Sequence, residues 1–179
     1  MNLCILNKAK LNAMSINQTL LAELDQESKT TRKILERIPT EQLVYKPHEK
    51  SFTIGSLGAH VGELTSWVDL IINTDELDFA KMNYTPPTIN TTTDIMKIFE
   101  DNLAKAKDIL QNATNEKFDG NWKLRNREQI YFDLSKTVVL RNMVFNHIVH
   151  HRAQLGVYLR LLNIAVPSSY GPTADYQFM

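Results

Sequence analysis

The sequence predicts an all-α protein, a four-helix bundle with long connections. Four stretches carry apolar residues at helical spacing. The stretches between them, 39–51, 74–92 and 114–135, hold prolines, glycine and polar residues that interrupt helices. The 179 residues are 43% hydrophobic and 22% charged, enough for one domain with a real core. Four amphipathic helices bury their apolar stripes most simply against one another. Connections this long allow consecutive helices to be non-neighbours, so simple up-down order does not follow.

Residues 1–14 lack a clear period and read as an N-terminal extension to a domain over 15–179. The first helix spans 15–38, with Leu20, Leu21, Leu24, Leu35 and Ile38 on one face and Pro39 as its stop. Glu27, Ser28 and Thr31 interrupt that face, which predicts solvent or a cavity opposite them. Thr53 is the expected cap of a second helix running to 73, with Leu57, His60, Leu64, Trp67 and Ile71 inward. Gly55, Gly58 and Gly62 lower its helix propensity by about 1 kcal/mol each and suit close packing instead. Thr93 or Asp94 caps a third helix to 113, with Ile95, Phe99, Leu103, Ala106 and Leu110 inward. Residues 121–135, NWKLRNREQIYFDLS, alternate enough for a short hairpin or an irregular lid. The fourth helix covers 136–163. The tail VPSSYGPTADYQFM, with two prolines and a glycine, is expected to be extended and turned.

The fourth helix holds three of the chain's five histidines in an apolar setting: His147, His150 and His151. A helix turns about 100° per residue, so side chains at i and i+4 lie only ~40° apart. Leu140, Val144, Ile148, Leu155, Tyr158 and Leu162 fall within roughly 45° of one line, and His147 and His151 lie near it. His150 is ~115° away and belongs to the rim. Buried imidazoles need partners. An inward i, i+4 pair is suited to two metal positions or to a hydrogen-bonded core. His60, inward on the second helix, supplies a third imidazole. Three imidazoles with an open fourth position are the ligand set of a reactive metal site, and zinc, nickel, iron and copper all accept imidazole. Glu63, one turn beyond His60, is a candidate catalytic base, with an exposed helix carboxylate as its alternative role. Arg152 is a candidate for binding an anionic substrate group, or for pairing with an acid on a neighbouring helix.

The segments KPHEKSFTIGSLGAHVGELTSW (46–67) and NHIVHHRAQLGVYLRLLNIAVPSSYGPTADY (146–176) closely resemble the DinB-like superfamily of DNA-damage-inducible and related proteins. The run HxxxHHRAQL…YLRLL…VP…YGPTAD is far more specific than three histidines alone. The resemblance covers about 14–176. It implies a four-helix bundle in up-down-down-up order, a metal site on His60, His147 and His151 holding zinc or nickel, and frequent dimers. Some members use thiols such as bacillithiol or mycothiol as S-transferases or isomerases. Tyr176 departs from the pattern, standing where members often carry an acidic residue.

The expected function is a metal-dependent thiol S-transferase of the bacillithiol or glutathione type, or a related detoxifying enzyme, taking a small-molecule thiol and an electrophile. A metal-dependent hydrolase and a non-enzymatic metal-binding stress-response protein are the alternatives. Twenty basic residues balance twenty acidic ones, which leaves no electrostatic footprint for nucleic acid or an anionic membrane surface. No apolar run approaches the ~20 residues that span a bilayer. The start has no secretory pattern, and the single Cys4 cannot form an internal disulfide, so a cytoplasmic location is the default and a reactive role for Cys4 is not expected. Phe145, Val149 and Leu159 lie off the inward line of the fourth helix, which predicts a homodimer.

Overall fold

A computed structural model describes residues 14–177; Cys4 and most of the N-terminal extension lie outside them. The helical segments are α1 (Ile16–Leu35), α2 (Ile54–Glu63), α3 (Trp67–Asn73), α4 (Thr92–Asn112), α5 (Lys136–Leu140) and α6 (Asn146–Leu161). A 3₁₀ turn, Leu64–Ser66, joins α2 to α3, and a π-helical turn, Arg141–Phe145, joins α5 to α6. These six segments make four long helices. The second and fourth are therefore interrupted where the sequence pattern predicts continuous rods.

Local chemistry sets the starts. The Gln18 side chain accepts from the Ser15 N–H, and the Thr53 hydroxyl accepts from the Ser56 N–H at 3.1 Å. The third long helix begins earlier than expected. Thr91 is its cap, and the Asp94 carboxylate reaches back to the Thr91 N–H at 2.8 Å. Asp94 thus completes a capping box rather than starting the helix. The expected stripe, Ile95, Phe99, Leu103, Ala106 and Leu110, is buried throughout.

The helices form a bundle in which α1 packs on α4 and α6, and α2 packs on the same two. Consecutive α1 and α2 consequently lie on a diagonal. The loop over 36–53 makes that possible. Gly58 and Gly62 bring α2 close to its neighbours: a Cβ on Gly58 would meet Ile38 Cδ1 at 2.6 Å, and one on Gly62 would lie 3.2 Å from the Phe99 backbone nitrogen.

The protein is not purely all-α. Strands β1 (Glu76–Asp78), β2 (Asn121–Asn126) and β3 (Gln129–Ser135) form a small sheet in the order β1-β2-β3. The hairpin of β2 and β3 answers one of the expectations for 121–135. Strand β1 is the correction, since it pairs parallel to β2 from within the supposed loop after α3. Three residues with no alternation carry no strand signal of their own, and only pairing with β2 orders them. Two side chains anchor the sheet. Trp122 is fully buried and donates to Thr74 Oγ1 at 3.1 Å. Asp78 accepts from the Arg127 and Ala80 N–H groups, which holds its carboxyl below its ordinary range.

The polar gap in α1 faces neither solvent nor a cavity. Ser28 and Thr31 are buried, and Arg152 reaches in from α6. Its guanidinium pairs with Glu27 at 2.7 Å and donates to Thr31 Oγ1 at 3.1 Å and to the Tyr170 hydroxyl at 2.6 Å. The tail is pinned beyond this point: Asp175 pairs with Arg160 and accepts from the Val166 N–H, and the Tyr176 hydroxyl accepts from Arg37 at 2.7 Å. Phe145 and Leu159 are buried within the chain, so neither requires a second copy to cover it. Val157 and Leu161 are the large apolar residues of α6 that stay exposed.

Two stability measurements test this packing. Gly58→Val forces a branched side chain against Ile38 and Ile95 and should cost about 1–3 kcal/mol in urea unfolding. Arg152→Ala strands the Glu27 carboxylate in the core and should cost about 3–5 kcal/mol; a loss below about 1 kcal/mol would show that water reaches the pair.

Candidate metal centre

Helix α2 brings His60 to face α6, which presents His147 and His151 one turn apart. His60 Nε2 lies 3.5 Å from His147 Nε2. The ring centroids are 5.1 Å apart for His60–His147, 4.8 Å for His60–His151 and 4.6 Å for His147–His151. One ligand atom from each of the three falls within 4.8 Å of the others. Two nitrogens bound at 2.0–2.1 Å to a tetrahedral ion sit about 3.3 Å apart, so the three rings are near coordination spacing. Among the described residues, no carboxylate or thiol joins the group.

The outer nitrogens explain which atoms face inward. Gln154 Oε1 accepts from His151 Nδ1 at 2.7 Å, leaving Nε2 as the lone-pair nitrogen. His147 Nε2 faces His60, and the Met143 backbone partly offsets the lowering of the His147 pKa. An outer hydrogen bond of this kind fixes tautomer and ring orientation in metal-ligating histidines. The π-helical turn supplies the local backbone: the Asn146 N–H bonds to the Arg141 carbonyl, five residues back, just before His147. Inward lone pairs repel one another unless a proton or a cation lies between them. The donor set therefore fits a divalent ion.

Electrostatics agree with neutral rings. Burial, followed by the neighbouring imidazoles, lowers the His60 pKa to about 4. Burial and adjacent imidazoles also push His147 and His151 below the ordinary value, partly countered by Met143 and Gln154. Neutral imidazole is the form that binds a metal.

The remaining sequence candidates separate. His150 is exposed, on the rim as expected, and accepts from Gln154 Nε2 at 3.2 Å. Glu63 lies beside His60 in two adjoining cavities, and burial raises its carboxyl above the usual range. It accepts a hydrogen bond from the Tyr84 hydroxyl at 2.9 Å, and burial together with that carboxylate pushes the Tyr84 pKa up to about 12. Arg152 lines neither cavity beside His60, and its charge is committed to Glu27, so it takes the ion-pair role. Gln154 and Tyr84 are the site residues the sequence reading lacks. Gln154 carried a signal, a polar side chain at i+3 from His151; Tyr84, in a proline-bearing connection, carried none.

The pH dependence has a definite sign. A histidine whose folded pKa is depressed stabilises the fold above its unfolded value and loses that contribution as pH falls. Between about pH 6.5 and 4, charging these rings should destabilise the metal-free protein. Thermal unfolding after chelation should show a midpoint that falls on acidification through this window, with a shallower fall in His60→Leu. Identical slopes would mean the rings are hydrated.

Comparison with known proteins identifies the fold and the family. No curated protein matches the chain. Several solved structures share the fold, two of them as follows. A DinB-like protein from Bacillus cereus ATCC 10987 is 19% identical, with a TM-score of 0.63, over 87% of this chain and 98% of that one. A DinB-like protein from Bacillus subtilis is also 19% identical, with a TM-score of 0.65, over 89% of this chain and 99% of that one. A family model, the DinB family, matches residues 9–177, and the chain belongs to that family.

Proposed function

We propose that this protein is a metal-dependent enzyme that joins a small-molecule thiol to an electrophile. The convergence of three neutral imidazoles next to a cavity carries the reading: it provides a metal position open on one side and room for a substrate. His60, His147 and His151 would hold zinc or nickel. Such an ion supplies Lewis acidity, which keeps a bound thiol deprotonated near neutral pH.

The chain's own residues do the rest. Gln154 orients the His151 ring of α6. Phe52 stacks on His60 at a centroid distance of 6.4 Å. Glu63, held by Tyr84, can accept the thiol proton, since a carboxyl with a raised pKa is a better base near neutrality than an exposed one. The same pair supports a second reading. A base beside a three-imidazole site also suits a hydrolase that activates water.

Metal content and conjugation test the proposal together. His60→Ala, His147→Ala and His151→Ala should each abolish stoichiometric zinc or nickel, measured by plasma emission spectroscopy, whereas His150→Ala should retain it. Retention by His151→Ala with loss by His150→Ala would overturn the ligand set. The loaded protein should conjugate a low-molecular-weight thiol to monochlorobimane, and Glu63→Gln should slow the reaction about 10²–10⁴-fold. Ester cleavage without added thiol would move the reading to hydrolysis.

A further inference from the structure

Two cavities meet at His60, Glu63 and Tyr84, and their walls differ from those expected for a charged ligand. One, of about 490 Å³, runs between the loop before α2 and the connection after α3. Leu43, Val44, Phe52, Ala59, Pro86 and Ile89 are among its lining residues. The other, of about 460 Å³, is lined in part by Trp67, Phe79 and Met82. The Tyr84–Glu63 hydrogen bond stands between them, because both residues line both spaces. Among the described residues, neither cavity has a lysine or arginine in its wall, and Glu63 is the one charged side chain lining either.

Those observations select a ligand class. An anionic molecule entering the larger cavity would find no cation and would face Glu63, so its carboxylate would be desolvated without a partner. A hydrocarbon would find an apolar wall of the size ordinary for small-molecule sites. Two large apolar side chains at this cavity are left open to solvent, Val44 at 83% exposure and Phe52 at 60%. Both would lose that exposure under an apolar ligand, which favours binding in proportion to the area removed from water.

We propose that the 490 Å³ cavity is the subsite for the hydrocarbon part of a neutral substrate, whose polar reactive group lies at the three histidines against the Glu63–Tyr84 pair. This rests on the metal-site reading above and names the class of electrophile for it: uncharged, with an aliphatic or aromatic body. An anionic thiol co-substrate approaches from elsewhere, and this cavity does not serve it.

Hydroxamates of different tails test the subsite separately from the metal. Binding to the zinc-loaded protein is measured by calorimetry. Acetohydroxamate reports the ion alone. Octanohydroxamate adds six methylenes, and burying about half of them at about fourfold each should tighten binding about 50-fold. The monohydroxamate of succinic acid, with its carboxylate inside the cavity, should bind more weakly than acetohydroxamate. Ser56→Trp, at an exposed position on the cavity wall, should cut the octanoyl-to-acetyl ratio to below about fourfold, the gain of a single buried methylene. Val44→Trp should do the same from the opposite side if Ser56→Trp does not fold. Equal binding of the short and long hydroxamates, or tighter binding of the succinyl compound, would overturn the subsite while leaving the metal centre standing. Failure of the protein to bind zinc, or of the zinc form to bind acetohydroxamate, would overturn the metal centre and the subsite with it.

Discussion

The close approach of α2 to the rest of the bundle is the constraint from which the site follows. Gly58 and Gly62 turn backbone toward their neighbours, where a Cβ would collide with Ile38, just beyond α1, or press on the Phe99 amide of α4. That contact positions α2, and His60 is on the next face round. With α2 displaced outward by a side chain, His60 would leave the reach of His147 and His151. Glycine's low helix propensity is the local cost, and burial of Leu57, Val61 and Leu64 offsets it.

A second constraint holds α6 in rotation. Arg152 follows His151 directly, so the two project about 100° apart. Its guanidinium is locked on Glu27, Thr31 and Tyr170, which joins α1, α6 and the tail in one polar knot. A buried ion pair is a poor source of net stability, because desolvation consumes most of the attraction. It is a good source of register: any rotation of α6 would leave a buried charge unpaired. The Gln154 hydrogen bond lies within α6 and orients the His151 ring rather than the helix.

The two ends of the candidate site have opposite electrostatic characters. Around the histidines, lone pairs converge and favour a cation. Away from them, the walls formed by the described residues are apolar and lack positive charge, and burial raises the Glu63 carboxyl above its usual range while the hydrogen bond from Tyr84 opposes that rise. On the proposed reading, a site with a metal at one end and no positive charge along its walls disfavours anionic substrates before chemistry begins.

The sequence by itself determined the helices and the histidine set. Stripe spacing marked Ile95 to Leu110 and Leu140 to Leu155 as core, and the i, i+4 relation singled out His147 and His151 over His150, because a helix fixes side-chain direction by spacing alone. Proline, threonine and glycine likewise marked where α1 stops, where α2 starts and which helix packs closely. The tertiary structure decided what depends on partners distant in the chain. Strand β1 exists only because β2 lies beside it, and Tyr84 reaches the site only because its connection folds back over α2. The polar face of α1 predicts solvent or a cavity opposite it, and Arg152, 125 residues beyond Glu27, fills that space instead. Arg152 itself presented two equal roles in sequence, and the choice lay in which helix stood across from it. Periodicity records which way a side chain points, and it carries no information about what stands opposite.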